Sequence, residues 1–374
     1  MISAHRYLII LTCVAAMMSA PLRSPGATAA RPNILIIFAD DLGFSDLGCF
    51  GGEISTPNLD RLAADGVRLT QFYNTARCCP SRASLLTGLH PHQAGIGNMV
   101  DEYARKVREQ LASPAYADRL SVQTPTIAEV LRASGYRTGM TGKWHLGYER
   151  PHWPADRGFE RSFTVLEGAM NYFGHGMQHT GKIVKAPMAL NDQPFTPPRE
   201  GFFSTDAFTD FAVNYIGDQR GSTQPFFFYL AFNAPHWPLH APAEDIARYR
   251  GKYRDGWDVI RTRRHQRLID LGLIDARSEM APRPETMPAW ETIPAPQKDD
   301  WDLRMSIYAA MIDRLDRGVG RVLASLRAIG AERDTLVIFL SDNGGAPESP
   351  RRSLPGATLG LASPSKVTGS AARM

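Results

Sequence analysis

The feature that most constrains the fold is a continuous apolar run, NILIIFA, at residues 33–39. A strand that is apolar at every position has both faces buried, which is typical of a parallel sheet covered by helices on each side. Two further runs have the same character, PFFFYLAF at 225–232 and LVIFL at 336–340. With a shorter strand predicted at 136–140, these runs indicate an α/β sheet.

Helix signals separate the predicted strands. Thr56 and Thr124 each precede a proline, which predicts a Thr N-cap and a Pro at the first helical position, and Ser204 is predicted as a third N-cap. A proline-rich stretch at 281–298 is predicted to be a surface loop. The alternation predicts a mixed, mostly parallel sheet flanked by helices on both faces. The predicted helices cover residues 56–66, 124–135, 204–216 and 305–329.

Composition narrows the class of protein. The chain has 374 residues, enough for one large domain or two ordinary ones. A charged fraction of 21% and a mean hydropathy of −0.25 exclude a mostly disordered chain, a multi-span membrane protein and a coiled coil. The formal charge of +4 comes from the two ends of the chain, because residues 31–345 are close to neutral. A body of this kind is not expected to bind nucleic acid.

Both ends are predicted to lie outside a catalytic domain at 31–345. Residues 1–30 have the charged, apolar and small-residue order of a secretory signal peptide, with cleavage after Ala30. The alternative is a membrane anchor, but the apolar run is shorter than the roughly 20 residues of a membrane span. We therefore expect export, to the periplasm or outside the cell, without a stable membrane span. Residues 346–374 are predicted to be a disordered, low-complexity tail.

Polar side chains follow the predicted strands at the points where the strands end. In an open α/β sheet, ligands bind beyond the carboxyl ends of the strands, so these side chains are expected to share one edge. Their oxygen ligands suit a hard cation such as Ca²⁺ or Mg²⁺. Taken singly, each Asp has the alternative role of a turn or cap residue, and each His that of a surface or core residue. The side chains are Asp40 and Asp41, Lys143 and His145, His236, and Asp342 and Asn343.

Two adjacent carboxylates at the end of a buried strand repel each other and need a counter-charge. A bound cation, Arg82 or Lys143 are the candidates for it in this sequence. His152, His175, His179 and His240 are less well placed for the same site, although His240 lies close to His236 in the sequence.

Three cysteines remain after the predicted cleavage, and an odd number indicates a thiol with a use other than a disulfide. Cys78 and Cys79 are adjacent and cannot easily pair with each other. The segment at 78–88, CCPSRASLLTG, puts a thiol at a helix N-terminus with Arg82 one turn along, an arrangement that favours a bound anion. A buried structural cysteine at a helix start is the alternative. These residues indicate a metal-assisted esterase acting on phosphate or sulfate, without choosing between the two.

The same segment matches the C-x-P-S-R-x-x-x-L-T-G signature of the type I sulfatases position for position. Residues 135–145, GYRTGMTGKWH, resemble a second signature of that family. The segments PNILIIFADDLGFSDLGCFGG, TPNLDRLAADG, NAPHWPLHAP and FLSDNGG also resemble the family and occur in its order. The resemblance covers roughly residues 31–345.

The resemblance implies an alkaline-phosphatase-like fold and hydrolysis of sulfate esters. It implies that Cys78, rather than Cys79, is oxidised to formylglycine by a sulfatase-maturating enzyme, because Pro must stand two places after the modified residue. It also implies that Arg82 steadies the formylglycine hydrate and that Lys143 and His236 bind the sulfate. One Ca²⁺, with Mg²⁺ as the other possibility, would be bound by Asp40, Asp41, Asp342, Asn343 and the modified Cys78.

The mechanism implied by the resemblance is a transesterification followed by an elimination. One hydroxyl of the hydrate, deprotonated with help from Asp342, attacks sulfur, and the leaving group takes a proton from His236. His145 then removes a proton from the second hydroxyl, which expels sulfate and restores the aldehyde. Such acid–base steps contribute about 10²–10⁴-fold each.

The sequence departs from the family after FLSDNGG, where an R-G-x-K segment and a smaller C-terminal domain are expected. Lys366 has no such motif around it and is not assigned as the second sulfate-binding Lys. A truncated, inactive sulfatase fragment is therefore one alternative, and a related phosphonate or phosphate ester hydrolase is another. The organic part of the substrate is not determined. The KWHLG form resembles arylsulfatases, but carbohydrate sulfatases share it. Four aromatic residues, Trp144, Trp153, Tyr172 and Phe173, either line a substrate pocket or belong to the core.

Overall fold

Strand β1, Asn33–Asp40, is the strand predicted from NILIIFA, and it lies inside a seven-stranded sheet. The computed structural model describes residues 31–100, 105–174, 177–179, 182–184 and 187–346. All elements given below belong to the unit that begins at Asn33. The predicted leader at 1–30 and the predicted tail beyond residue 346 lie outside the described residues.

The sheet is mixed and mostly parallel, as predicted. After β1 the strands are β2 Arg137–Lys143, β3 Arg161–Val165, β4 Met177–His179, β5 Lys182–Val184, β6 Met188–Leu190, β7 Gln193–Phe195, β8 Phe226–Pro235 and β9 Thr335–Ser341. The order in the large sheet is β7-β6-β3-β2-β8-β1-β9, and β4 pairs with β5 separately. The pairs β1–β8, β1–β9, β2–β3 and β2–β8 are parallel, whereas β6 and β7 pair in antiparallel fashion at one edge.

Helices cover both faces of the sheet. They are α1 Pro57–Ala64, α2 Cys78–Thr87, α3 Arg105–Leu111, α4 Ile127–Ala133, α5 Ser204–Gly217, α6 Ala243–Ala247, α7 Gly256–Asp270 and α8 Ala295–Ala328. Successive residues of β1 point to opposite faces: Leu35 and Ile37 belong to the core under α1, α5 and α8, and Ile36 and Phe38 to the core under α2 and α4. Burial of both faces explains why β1 is apolar at every interior position.

The predicted helix caps were partly wrong. Thr56 holds the N-cap position of α1 as predicted, but α4 begins two residues later than predicted, with Thr126 as its N-cap instead of Thr124. The reason is a reciprocal capping box: the Thr126 hydroxyl accepts from the Glu129 amide at 3.1 Å, and the Glu129 carboxylate accepts from the Thr126 amide at 2.6 Å. Thr124 has no acidic residue three places on. Ser204 is the first residue of α5 and not its cap.

The predicted loop at 281–298 was wrong at its end, because α8 starts at Ala295. Pro294 holds the N-cap position of α8, and a second proline lies in its first turn. Proline is tolerated in the first turn, where the amide it lacks would have no helical partner. Pro294 and Pro296, which were interpreted as loop residues, therefore mark the start of this 34-residue helix, ten residues before the predicted start.

The strand predicted at 136–140 ended too early, since β2 continues to Lys143 and pairs with β3 up to Lys143 and Val165. Gly142 makes this possible. A Cβ at Gly142 would lie 1.7 Å from the carbonyl oxygen of Ala231 on β8, and its φ is +104°, so only glycine fits. The strand predicted at 225–232 likewise extends, to Pro235.

Among the residues that the structure describes, no helix is both long enough and apolar enough to cross a membrane.

Candidate active site

The parallel strands bring the predicted polar residues to one edge of the sheet. Asp40, the last residue of β1, lies opposite Pro235, the last residue of β8, so His236 follows directly beside it. On the other side Ala39 pairs with Ser341, which places Asp342 next to Asp40. Lys143 ends the neighbouring strand β2. The shared edge predicted from the strand ends is the arrangement in the structure.

Two buried cations hold this edge together. The Lys143 Nζ lies 2.8 and 2.7 Å from the two carboxylate oxygens of Asp40. The Arg82 guanidinium, from α2, donates to Asp342 Oδ2 at 2.8 and 3.2 Å, lies 3.3 Å from Asp40 Oδ1, and donates to the Lys143 carbonyl at 3.0 Å. All four side chains are fully buried. The chain itself therefore supplies counter-charges for Asp40 and Asp342.

Burial and neighbouring charges shift the pKa values of Asp342 and Asp40 in opposite directions. For Asp342, burial is the largest influence and Asp40 adds to it, so that the pKa of Asp342 is raised to about 6 in spite of Arg82. For Asp40, burial alone would raise the pKa, but the positive charges of Lys143, His236 and Arg82 together lower it below its ordinary value. Asp342 is thus the carboxyl group suited to exchange a proton near neutral pH.

Cys78 is the first residue of α2, and its thiol faces the carboxylates. Its Sγ lies within 4.8 Å of a ligand atom on each of Asp40, Asp41 and His236. Burial raises the pKa of the Cys78 thiol, and the carboxylates add to this effect against Lys143. An unmodified thiol here is neutral and therefore a weak nucleophile. Cys79, by contrast, is fully buried in the core under α2 and α4.

The donor set fits a hard cation. Asp41 has a left-handed backbone, with φ of +63°, and its amide donates to Asp342 Oδ1 at 3.2 Å. The Asn343 side-chain amide donates to Asp41 Oδ1, while its own Oδ1 is buried and finds no hydrogen-bond partner among the described residues. Three carboxylates, those of Asp40, Asp41 and Asp342, therefore lie at this edge with the two cations Lys143 and Arg82. The excess of negative charge and the free oxygen are what Ca²⁺ or Mg²⁺ requires.

The two candidate histidines differ in their surroundings. His236 has one ring nitrogen, Nδ1, 2.5 Å from the Trp237 carbonyl oxygen and the other, Nε2, 3.5 Å from Asp41. His145 has a left-handed backbone, and neither of its buried ring nitrogens has a partner in the described part of the chain. Burial lowers the pKa of His145 far below its ordinary value, and the charges of Lys143 and Arg82 add to the effect. His145 is therefore a neutral imidazole with a free lone pair.

The structure also defines residues that the sequence patterns did not mark as part of the site. The Tyr308 hydroxyl, from α8, lies 3.2 Å from the Asp41 carbonyl oxygen and 2.7 Å from Asp46, and Gly168 packs against His145. No motif surrounds Tyr308, which occupies one turn of a long helix. Of the four aromatic residues, Trp144 and Tyr172 are fully buried in the cores, and Trp153 and Phe173 pack beside them.

The less favoured histidines lie away from the cluster or cannot be described. His152 is buried, with its carbonyl accepting from Trp144, and His240 packs on Tyr172 and Phe173. His175, the side chain of His179, and Lys366 lie outside what the structure describes.

A family model described as "Sulfatase" matches residues 32–367 of the chain. An uncharacterized sulfatase of Schizosaccharomyces pombe is 40% identical over 324 residues, which are 85% of this chain and 58% of that protein. An arylsulfatase of Klebsiella aerogenes is 36% identical over 326 residues, which are 86% of this chain and 68% of that protein. The chain thus spans a little under three fifths of the length of the first relative and about two thirds of the second.

Solved structures agree in fold. The crystal structure of Ps i-CgsB superposes with a TM-score of 0.60 and 29% sequence identity, over 84% of this chain and 59% of that one. The putative sulfatase yidJ from Bacteroides fragilis gives a TM-score of 0.62 at 22% identity, over 88% of this chain and 66% of that one. The fold described above is therefore found in proteins whose sequences have diverged widely.

Proposed function

Because this chain belongs to the sulfatase family, we propose that it hydrolyses sulfate esters of small molecules or carbohydrates. One observation carries the proposal: the Cys78 thiol lies within 4.8 Å of the Asp40 and Asp41 carboxylates and of His236. A nucleophile position, a cation site and a proton donor thus meet at one point. The arylsulfatase relatives support an aryl ester, and the structure of Ps i-CgsB in complex with k-i-k-neocarrahexaose supports a carbohydrate.

We propose that one Ca²⁺ binds to Asp40, Asp41, Asp342 and Asn343, and that Cys78 is converted to formylglycine by a maturating enzyme. The unpartnered Asn343 oxygen and the excess of carboxylates support the cation. The neutral, buried Cys78 thiol is a poor nucleophile as it stands, which agrees with a need for modification. A hydrated aldehyde supplies two hydroxyl groups on one carbon, one to attack sulfur and one to drive release of the sulfate, and Ca²⁺ supplies positive charge for the sulfuryl oxygens.

The side chains of the chain itself divide the remaining work. Lys143 and His236 bind the sulfate oxygens, and Arg82, one turn after position 78 on α2, holds Asp342 in place. Asp342 takes up a proton from the attacking hydroxyl. His236 gives a proton to the leaving oxygen from Nε2. His145, neutral and with free ring nitrogens, takes up a proton in the release step.

We further propose that the protein is exported, to the periplasm or outside the cell, on the strength of the leader at residues 1–30. The proposed maturating enzyme is then the one protein partner that the chemistry requires. Neither a nucleic-acid partner nor a stable membrane span is part of this proposal.

Hydrolysis of 4-nitrophenyl sulfate in the presence of Ca²⁺, with mass spectrometry of the Cys78 peptide, tests the proposal. We expect release of sulfate, a formylglycine mass at position 78, and complete loss of turnover in Cys78→Ala. Cys79→Ala is the matched control, and it should keep most of the activity because Cys79 lies in the core. Inverse behaviour of the two variants would overturn the assignment of the nucleophile.

The same assay distinguishes the alternatives. Faster hydrolysis of 4-nitrophenyl phosphate or phenyl phosphonate than of the sulfate would identify the chain as a related phosphonate or phosphate ester hydrolase. Folded protein that carries formylglycine and turns over none of these esters would identify an inactive fragment.

A further inference from the structure

We propose that Tyr172 is a positioning residue for His236, which it holds through the main chain at the end of β8. The inference rests on the proposed hydrolysis for its kinetic test alone. Tyr172 lies in the loop that follows β3, and 64 positions separate it from His236 in the sequence. Its side chain is fully buried, so its hydroxyl must find partners inside the protein.

Those partners are two carbonyl groups of one turn. The Tyr172 hydroxyl lies 2.5 Å from the Asn233 carbonyl oxygen and 2.8 Å from the His236 carbonyl oxygen. The His236 amide also donates to the Asn233 carbonyl, at 3.1 Å. The single proton of the phenol is thus shared between the two ends of the turn that leaves the sheet at β8 and carries the imidazole.

A second set of hydrogen bonds fixes Tyr172 itself. The Ser204 amide, at the start of α5, donates to the Tyr172 carbonyl at 2.7 Å, and the Ser204 hydroxyl donates to the Asn233 side-chain oxygen at 3.2 Å. The loop after β3, the first turn of α5 and the end of β8 are thereby linked in a closed ring.

The position of the His236 main chain decides where the imidazole works. The Nδ1 atom points at the neighbouring Trp237 carbonyl, and Nε2 points at Asp41 and toward Cys78. Without the phenol hydroxyl, the His236 carbonyl loses its partner and the turn can rotate. A displacement of about 1 Å at a reacting group can cost about 10²-fold in rate. The hydroxyl of Tyr172 thus acts on the proposed proton donor without touching the substrate.

The test compares Tyr172→Phe with Tyr215→Phe. Both tyrosines belong to the same core, but the Tyr215 hydroxyl is buried without a hydrogen-bond partner among the residues whose positions are given. We expect Tyr172→Phe to lower kcat for 4-nitrophenyl sulfate by about tenfold or more and to raise KM as well, because His236 both binds the sulfate and donates the proton in the proposed function. Tyr215→Phe should leave both constants unchanged.

A spectroscopic measurement reads the position of His236 without any turnover. In protein labelled with ¹³C-histidine, the His236 Cε1–H resonance is identified by its absence in His236→Gln. We expect this resonance to shift or broaden in Tyr172→Phe and to stay in place in Tyr215→Phe. Ser204→Ala, which removes only the link to the Asn233 side chain, should move it in the same direction by a smaller amount.

Each outcome decides the proposal. An unmoved His236 resonance in both Tyr172→Phe and Ser204→Ala would overturn it, as would equal losses of kcat in the two tyrosine variants. If Tyr172→Phe does not fold, the His236 resonance in Ser204→Ala decides, and an unmoved resonance there overturns the proposal. If the unsubstituted protein hydrolyses no sulfate ester, the proposed function fails, and the resonance still tells whether Tyr172 positions His236.

Discussion

Gly168 packs so closely against the His145 ring that no larger residue fits beside it. A Cβ at Gly168 would lie 2.4 Å from His145 Cε1 and 2.7 Å from Nε2. These atoms belong to a rigid ring whose backbone is itself in the left-handed region, with φ of +58°. The ring therefore cannot move aside cheaply. The absence of a side chain at position 168 is what leaves room for the candidate base.

Gly168→Ala should consequently displace the imidazole of His145 and lower kcat at least tenfold, because a misplaced general base loses much of its contribution of about 10²–10⁴-fold. The thermal midpoint should also fall, because a buried ring has to move to make room for the added methyl group. Gly217→Ala is the matched control, since Gly217 ends α5 with open space around it. Full activity in Gly168→Ala would show that His145 has no catalytic use.

His240 gives a residue-scale prediction for pH. Burial lowers the pKa of His240 from 6.5 to about 4, and the ring packs on Tyr172 and Phe173. Below pH 6.5 the unfolded chain binds a proton that the folded chain refuses, so stability is lost as the pH falls from 6.5 to about 4. The loss amounts to at most about 3.5 kcal/mol.

Urea denaturation at pH 7 and pH 4.5 measures this effect. His240→Gln should lose less stability between the two pH values than the unsubstituted protein does, because Gln does not titrate. Equal pH dependence in the two proteins would mean that His240 is protonated as easily in the folded state as in the unfolded one.

At the scale of single elements, α4 shows how the first turn of a helix is fixed. The Thr126 hydroxyl accepts from the Glu129 amide and also donates to the Arg157 carbonyl at 2.8 Å, and Thr126 is fully buried. Thr124, which carries the Thr-Pro signal, takes part through its main chain: its carbonyl accepts from Arg157 and its amide donates to the Ser121 carbonyl. The two threonines therefore make a matched pair in which only one side chain caps the helix.

Thr126→Ala should lower the free energy of unfolding by about 1–2 kcal/mol, since it removes an N-cap and leaves the Arg157 carbonyl without this partner. Thr124→Ala should cost less than half of that. Both values follow from urea denaturation monitored by circular dichroism. If Thr124→Ala lowers the free energy of unfolding more than Thr126→Ala does, Thr124 is the N-cap after all, as the Thr-Pro pair predicted.

The elements also show what could be predicted from the sequence. Strands β1, β8 and β9 were predicted because both of their faces are apolar, and the strand ends then placed the carboxylates, Lys143 and His236 at one edge. Strand β3 was missed because its sequence, RSFTV, is too short and polar to show a pattern. Strands β6 and β7 were missed because they have only three residues each. Helix α7 was missed because it has many charged residues and no clear apolar pattern.

What could not be predicted depends on contacts between distant parts of the chain. Tyr172 and Tyr308 reach the site across 64 and 267 positions, and no local pattern distinguishes them from core tyrosines. The assignment of Arg82 to Asp342 and of Lys143 to Asp40 likewise required the packing of α2 on the sheet. A sequence motif identifies the residue types of a site, whereas the frame that orients them depends on tertiary structure.

At the scale of the whole molecule, β9 is an unusual edge strand. Its sequence, TLVIFLS, is that of an interior strand, yet Leu336 and Ile338 are 51% and 38% exposed. Within the described ranges its only partner is β1, so its other edge presents unpaired amide and carbonyl groups. Such an edge is a template for pairing with a further strand.

We expect the chain to self-associate as its concentration rises, and the double variant Leu336→Lys with Ile338→Lys to associate less. Charges on an edge strand oppose pairing between copies. The measurement is sedimentation velocity over a range of concentrations. The control adds the same charge elsewhere, through Val130→Lys with Val259→Lys on exposed helix positions. If both pairs of substitutions suppress self-association equally, the effect is due to net charge and not to pairing at the edge of β9.

The parallel pairing of β1 also sets an order in time. Ile34 pairs with Phe227 on one side and with Leu336 on the other. Strand β1, the first strand of the described sheet to be synthesised, therefore pairs with β8 and β9, the last two. Asp40 can lie beside Asp342 only after β9 has been synthesised and has paired with β1. A chain interrupted before β9 would possess the Cys78 helix, Lys143 and both histidines but no complete carboxylate cluster. The carboxylate cluster therefore forms last, and it can form only when the whole of this sheet has been synthesised.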